Sequence, residues 1–523
     1  MNSPNRFLYV AIIPGILGVL LISNQVVTSI EKEVAAQHKT AAITQEPDLT
    51  GINGILDRKI SAHITPGAIE ENVHTKPFDM EYVRNAPSLE TEVIRGWHKI
   101  KGAIPTLQKE VIITVCEWWP GYQWRVPVVL TVPEDGARGF VITGQGRGEK
   151  ADPGIDRLLA GGVGHVRTKI SVIESYPDGK KAAAISNALL SRTKDYRYTR
   201  FWIWGMTMMR AATAALAEEQ YMKPGKIAAY GGSKNGLSPA MALIHDDRFT
   251  GIHPNVAPPN ESPYLSGDPV LLREVADANH RFFTAFDAGN IQVPFNREWY
   301  VFNSYGRTPA AMLKVSMTED LTEEDVYRCM RQINKVSFVS LHHDRLEDRG
   351  CEFLFDLGSH DNVTPALTYL GEKYPEIPVC IHPNGGHGQQ GKGLLPFAPA
   401  NDNQVAFMSN HFFGNRPMMK SPVVRYEKRE TSITVEVSFT DSPPADTGKI
   451  FWMFDRDPGG SAGYVAFYFK HFKDMNRVNK RSWKAEIELN STASTVDFFT
   501  FHSNTIGNMP AHISCPYTRI NLR

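Results

Sequence analysis

From residue 139 to residue 382, short apolar runs of strand length keep alternating with helical stretches. "GFVITG" (139–144) leads to the helical "GIDRLLAGG" and then to "VGHVRTKI". The long "YTRFWIWGMTMMRAATAALAEEQY", which reads as an amphipathic helix, precedes "KIAAYGG", "GLSPAMALIHDD" and "FTGIHP". The alternation returns in "CEFLFDLGSHDNVTP", "ALTYLGEKY" and "IPVCIHPNGGHG". Strands separated by helices bury their apolar faces best in a parallel sheet with helices on both sides. The expected fold class is therefore α/β, a doubly wound, mostly parallel sheet.

The flanks have a different texture. "KEVIITVCEWW" and "YQWRVPVVLTVP", joined at "PGY", read as an antiparallel hairpin of β-branched residues around turn formers. Residues 260–345 are irregular and rich in aromatics and charge, as an inserted cap region over the sheet would be. Beyond residue 420, "SITVEVSFT", "KIFWMFD", "GYVAFYFKHF", "SWKAEIELN" and "VDFFTFHS" are strand-length runs between turn residues, which points to an all-β, sandwich-like module. The organisation expected is a signal peptide or signal anchor at 1–27, an N-terminal extension at 28–109, an α/β domain at 110–417 with its insertion at about 260–345, and a β module at 418–523 that carries no catalytic residue.

Composition narrows the partners. Lys and Arg total 56 and Asp and Glu total 56, so the chain has no net field to recruit a polyanion, and nucleic acid is excluded as a partner. Arg6 precedes "FLYVAIIPGILGVLLI" (Phe7 to Ile22), a charge-free run interrupted by Pro14 and shorter than the ~20 residues of a full span. A positive flank followed by such a run fits a secretory signal or a membrane anchor through residues 7–22. A periplasmic or other extracytoplasmic location follows. The five cysteines, Cys116, Cys329, Cys351, Cys380 and Cys515, have no C-x-x-C spacing and read as buried thiols with at most one disulfide. They do not read as a zinc or redox motif, and no metal or organic cofactor is expected.

"YGGSKNG" (230–236) lies between the strand "KIAAY" and the helix "LSPAMALIHDD". That order is the context of a nucleophile elbow, in which a sharp turn presents a serine at the top of a sheet. Gly231 stands two before Ser233, and Asn235 stands two after it where glycine is usual, with Gly236 one step later. Such a serine needs a base and an orienting acid, which in this architecture follow in the order Ser, Asp/Glu, His. Asp361 follows the strand "CEFLFD" and His387 follows the strand "IPVCIH", each on a loop at a strand's C-terminal end, where open α/β sheets bind ligands. Asp356 is the rival acid, but it ends an apolar run and sits inside the strand. The catalytic set expected is Ser233, Asp361 and His387. Developing negative charge on a substrate oxygen would be met by the backbone N–H of Lys234 and by the glycine-rich loop "GQGRGEK", through Gly144 and Gln145. Arg147 in that loop is a candidate to bind a substrate carboxylate.

With "GGSKNG", "LIHDDRFTGIHPNVAP" and "GSHDNVTP … HPNGGHG", residues 110–523 resemble the PhoPQ-activated pathogenicity-related family of exported α/β hydrolases. The resemblance implies an α/β-hydrolase fold with a β-sandwich tail, and Ser233, Asp361 and His387 as nucleophile, acid and base. Asn235 and Leu237 depart from the family's commoner Arg and aromatic. The elbow also resembles that of glucuronoyl esterases, with Lys234 in place of Arg. Three functions follow in order: an exported serine hydrolase of an ester or amide, a carbohydrate esterase, and a non-catalytic binding protein on a degenerate scaffold. The substrate would be a small molecule or a peptide or carbohydrate ester. In the second reading Trp118, Trp119 and Trp124 would stack on sugar rings, although hairpin aromatics more often fill a core.

Overall fold

The computed structural model describes residues 77–119, 121–144, 153–170, 186, 189–190, 195–260, 269–293, 296–303, 323–361, 363, 367–387, 402–440, 442–457, 463 and 469–523. The charge-free run at 7–22, Gln145 and Arg147 lie outside them. Among the described residues, no helix is long and apolar enough to cross a membrane.

The central sheet begins with three antiparallel strands, β1 (Glu92–Ile100), β2 (Thr106–Trp119) and β3 (Tyr122–Pro133). It continues with β4 (Ala137–Thr143), β5 (Gly164–Thr168), β6 (Met222–Gly232), β7 (Phe249–Asn255), β8 (Glu352–Phe353), β9 (Phe355–Gly358) and β10 (Val379–His382). The order is β1-β2-β3-β5-β4-β6-β7-β9-β10, with β8 beside β7, and every pairing from β5 to β10 is parallel. The fold is thus mixed α/β with a mostly parallel central sheet. Side chains alternate across a strand, so a sheet buried on both faces feeds two cores. Ile142 and Ala229 enter one apolar cluster, and their neighbours Val141 and Ala228 enter another.

The helices are α1 (Met80–Arg84), α2 (Pro153–Ala160), α3 (Arg200–Leu216), α4 (Lys234–His245), α5 (Pro269–Asp287), α6 (Arg297–Asn303), α7 (Glu323–Ser337), α8 (His343–Asp348), α9 (Leu367–Lys373) and α10 (Asp402–Phe413). Helix α4 packs on α3 and α7 over the first core, while α10 and α2 cover the second. The expected amphipathic character of α3 is corrected, because every residue from Phe201 to Ala215 is buried. The segment around α1 lies over it: Phe78 stacks on Trp202 at 5.5 Å, and Arg210 donates to the carbonyls of Tyr82 (2.8 Å), Val83 (3.2 Å) and Asn85 (3.0 Å). A charge in the middle of a buried helix is tolerated here because carbonyl oxygens receive it.

Trp118, Trp119 and Trp124 are buried in the hairpin and pack with Tyr122, so none offers a face to a sugar ring. Between residues 282 and 300, Phe282 and Tyr300 are buried against Phe283, Phe286, Ile291, Val293 and Trp299 in a small cluster of their own. The C-terminal strands are β11 (Val423–Lys428), β12 (Ser432–Ser438), β13 (Thr447–Phe454), β14 (His471–Asp474), β15 (Asn476–Arg477), β16 (Ser482–Glu488), β17 (Thr495–Ile506), β18 (Met509–Ser514) and β19 (Thr518–Asn521). They form an antiparallel sheet β11-β12-β16-β15 and a second sheet β14-β13-β17-β18, with β19 beside β17. Ile433, Val435 and Trp483 of the first sheet share a buried cluster with Ile450, Phe498 and Ile513 of the second. That cluster continues into Leu158 of α2 and Phe407 of α10, so the apolar core crosses residue 418 without a break. Cys116, Cys380 and Cys515 are buried free thiols and Cys351 is a partly buried one.

Candidate active site

Strand β6 ends at Gly232 and α4 starts at Lys234, leaving a one-residue turn. Ser233 occupies it at φ 59°, ψ −124°, a conformation that L-residues adopt only under constraint. Hydrogen bonds supply the constraint. The Ser233 N–H donates to the Asn255 carbonyl of β7 at 2.8 Å, and the Ser233 carbonyl accepts from Gly236 (2.8 Å) and Leu237 (3.0 Å). A Cβ added at Gly236 would lie 2.7 Å from Ala257 Cβ and 3.0 Å from the Gly231 carbonyl oxygen. Room for Asn235, where glycine is usual, comes from Gly231, at which a Cβ would lie 2.5 Å from the Asn235 carbonyl oxygen and 2.7 Å from its Cβ.

The other two residues arrive on the loops after β9 and β10. His387 Nε2 is 2.8 Å from Ser233 Oγ, and Nδ1 is 3.1 and 3.2 Å from the two Asp361 carboxylate oxygens. Asp361 is fully buried and also accepts from the Val363 N–H at 2.8 Å, while the His387 side chain is 31% exposed. Burial pushes the His387 imidazole toward lower pKa, and the adjoining Asp361 carboxylate, through its charge and hydrogen bond, outweighs that effect, so the net shift is upward. A hydroxyl facing one nitrogen of an imidazole whose other nitrogen meets a buried carboxylate can lose its proton to that ring.

The two loops are braced from outside. Ser359 N–H donates to the His382 carbonyl (3.0 Å), His360 N–H to the Gly385 carbonyl (2.8 Å), and Asn384 N–H to Ser359 Oγ (2.7 Å). Gly358 is pressed against the neighbouring loop, since a Cβ there would lie 2.4 Å from the Gly385 carbonyl oxygen. From the C-terminal strands, Arg456 donates to the Ser359 carbonyl. The Asn384 side-chain amide exchanges hydrogen bonds with the Phe469 backbone at 3.2 and 2.7 Å. These braces carry no sequence signal, because Arg456 and Phe469 lie about a hundred residues from the loops they hold.

The rival Asp356 sits inside β9, 1% exposed, with Oδ1 accepting from the Asn403 amide of α10 at 2.7 Å. It faces His253 and His382, at 3.6 and 3.7 Å, rather than His387. Lys234 opens α4, where the first N–H groups of a helix point away from its own ladder. Gly144 lies beside it, for a Cβ there would be 2.8 Å from Asn235 Oδ1. That Oδ1 is buried without a hydrogen-bond partner among the described residues.

No family model matches the chain, and no curated protein matches it. Among solved structures it is similar to lipase A of Candida antarctica in its closed state, at 12% identity over 68% of this chain and 89% of that one, with a TM-score of 0.34. It is similar to acetyl xylan esterase 1 of a Thermoanaerobacterium species at 14% identity over 67% of this chain and 96% of that one, TM-score 0.34. It is also similar to the acylaminoacyl peptidase of Pyrococcus horikoshii at 12% identity over 57% and 46%, TM-score 0.29. At these scores the likeness lends no weight to a function.

Proposed function

We propose that the protein is a serine hydrolase that cleaves an ester or amide. The observation that carries this reading is the continuous contact from Ser233 Oγ to His387 to the buried Asp361 carboxylate. Ser233 Oγ attacks the carbonyl carbon as His387 Nε2 takes its proton, and a tetrahedral intermediate forms with negative charge on the former carbonyl oxygen. The Lys234 N–H and the loop from Gly144 to Gln145 receive that charge, and each aimed donor is worth about 3–4 kcal/mol of barrier. His387 then returns the proton to the leaving group, and water repeats the sequence on the acyl-enzyme. Asp361 keeps Nδ1 protonated, so that Nε2 is the acceptor. Arg147 is proposed to meet an acidic substrate group.

The fold we propose for the domain is the α/β-hydrolase fold, with the insertion near 260–345 as its cap and residues 418–523 as a β-sandwich module. The run Phe7–Ile22 supports export, as a cleaved signal or as an anchor. The buried tryptophans remove the sugar-stacking support for a carbohydrate substrate. The test is hydrolysis of a panel of activated esters and peptide anilides. Turnover that falls by ~10⁴ or more in a folded Ser233→Ala variant is expected. Equal turnover by that variant and the unaltered protein would exclude the mechanism.

A further inference from the structure

Behind the elbow, on the face of the sheet covered by α10, three strands converge on a second group of side chains. Asn255 of β7 pairs with Asp356 of β9, and Asp356 pairs with Cys380 of β10. His253 lies two residues before Asn255 and His382 two after Cys380, so the period of a strand puts His253, Asp356, Cys380 and His382 on the same face. They are 0–5% exposed. One ligand atom from each of Asp356, Cys380 and His382 lies within 4.8 Å of the others. His382 Nε2 is 3.7 Å from Asp356 Oδ2 and 3.8 Å from Cys380 Sγ, and His253 Nε2 is 3.6 Å from the same Oδ2.

The histidine-to-carboxylate distances exceed the ~2.7–3.2 Å of a nitrogen-to-oxygen hydrogen bond. Both ring nitrogens of His253 are buried without a hydrogen-bond partner among the described residues, although its Nε2 faces the carboxylate. A buried imidazole in that state is costly unless something lies between the donors. Bonds of ~2.0–2.3 Å to a tetrahedral ion separate its ligand atoms by roughly 3.3–3.8 Å, which matches the 3.7 Å and 3.8 Å from His382 Nε2 to Asp356 Oδ2 and Cys380 Sγ. Asp356 is also prepared as a one-oxygen ligand: Oδ1 is held by the Asn403 amide at 2.7 Å, and Oδ2 is the atom turned to the imidazoles. Asn403 is fixed in turn, its Oδ1 accepting from the His512 N–H of β18 at 2.7 Å.

We propose that Asp356 Oδ2, Cys380 Sγ and His382 Nε2 form a buried structural zinc site, with His253 Nε2 facing the same carboxylate oxygen beside it. An imidazole, a thiol and a carboxylate suit zinc and disfavour magnesium or calcium, which take oxygen. Binding releases the Cys380 thiol proton, as the ligand is the thiolate. The three ligands are 0–5% exposed and lie on the face away from Ser233, so the ion is structural and takes no part in the chemistry there. It clamps β9 and β10, the strands that lead into the loops of Asp361 and His387, to the face held by α10. The sequence hides the site because its donors come from two separate strands with no C-x-x-C spacing.

The experiment uses the full chain, equilibrated with Zn²⁺ and dialysed against zinc-free buffer, with bound metal read by atomic emission. One zinc per chain is expected. Exchange with Co²⁺ should give a thiolate-to-cobalt charge-transfer band in the near ultraviolet, absent in Cys380→Ser. Asn403→Ala, which frees Asp356 from outside, should weaken zinc affinity ~10–100-fold. Ser233→Ala should retain its full equivalent, so the site stands or falls apart from the hydrolase reading. Less than about a tenth of an equivalent on the folded unaltered chain would overturn the proposal, as would a cobalt complex lacking the thiolate band. If Cys380→Ser does not fold, the cobalt spectrum of the unaltered chain decides.

Discussion

Asp361 lies against His387 for a reason that can be named. An acid that serves a histidine on the next strand's loop must leave its own strand first, and Asp361 does so after Gly358, whereas Asp356 stays within β9. Asp361→Asn is therefore expected to cost ~10⁴ in turnover through the wrong imidazole tautomer. Asp356→Asn should lower thermal stability and leave turnover within about tenfold. The raised pKa of His387 sets the pH dependence. Only the neutral ring accepts the serine proton, so kcat/KM should rise with pH through a value above the ordinary imidazole pKa of about 6.5. Asp361→Asn removes the raising charge, and the acid limb of the profile should move to lower pH. The sign for stability is opposite: the His387–Asp361 contact contributes fully below about pH 6.5 and fades as pH rises through the folded value. The Asp356 group was not legible as a cluster, because no local spacing announces donors that meet only through strand register.

At the scale of elements, alternation of strand and helix texture was enough to foresee the parallel sheet, and each site residue followed a strand end that could be read directly. Helix α3 was expected to be amphipathic, whereas every residue from Phe201 to Ala215 is buried. Arg210 is instead fully buried and spends its guanidinium on carbonyls of residues 82–85 and on the Thr114 carbonyl of β2, 3.1 Å away. Arg210→Ala should destabilise the fold by about 3–5 kcal/mol, because several buried carbonyls lose their donor at once. Chemical denaturation would show it as a lower midpoint. The braces on the acid and histidine loops give a separate expectation. Arg456 and Asn384 act through their loops and are positioning residues. Asn384→Ala should lower kcat about tenfold or more with KM little changed, and should move the acid limb of the pH profile, which a purely structural loss would not do.

For the whole molecule, the reading of residues 418–523 as a unit free of catalytic residues left its coupling out of view. The strands were legible from their alternation, but Arg456 on Ser359, Phe469 on Asn384 and Ser514 on the Ile381 N–H (2.9 Å) are single polar contacts with no pattern in the chain. The apolar cluster shared by α2, α10 and both C-terminal sheets would also be opened by a cut. A chain ending near residue 417 is therefore expected to be insoluble or unfolded, and so to lose activity by losing structure. A soluble, cooperatively melting product of that length would show that the two parts fold independently.

The claim on which the rest depends is that Ser233 is a nucleophile. Treating the folded protein with a fluorophosphonate and mapping the adduct by peptide mass spectrometry tests it without knowledge of the substrate. A single adduct on Ser233, abolished in Ser233→Ala and strongly slowed in His387→Ala, is the result expected. Adduct on a different serine, or none on folded protein after prolonged exposure at a pH where His387 is neutral, would contradict it.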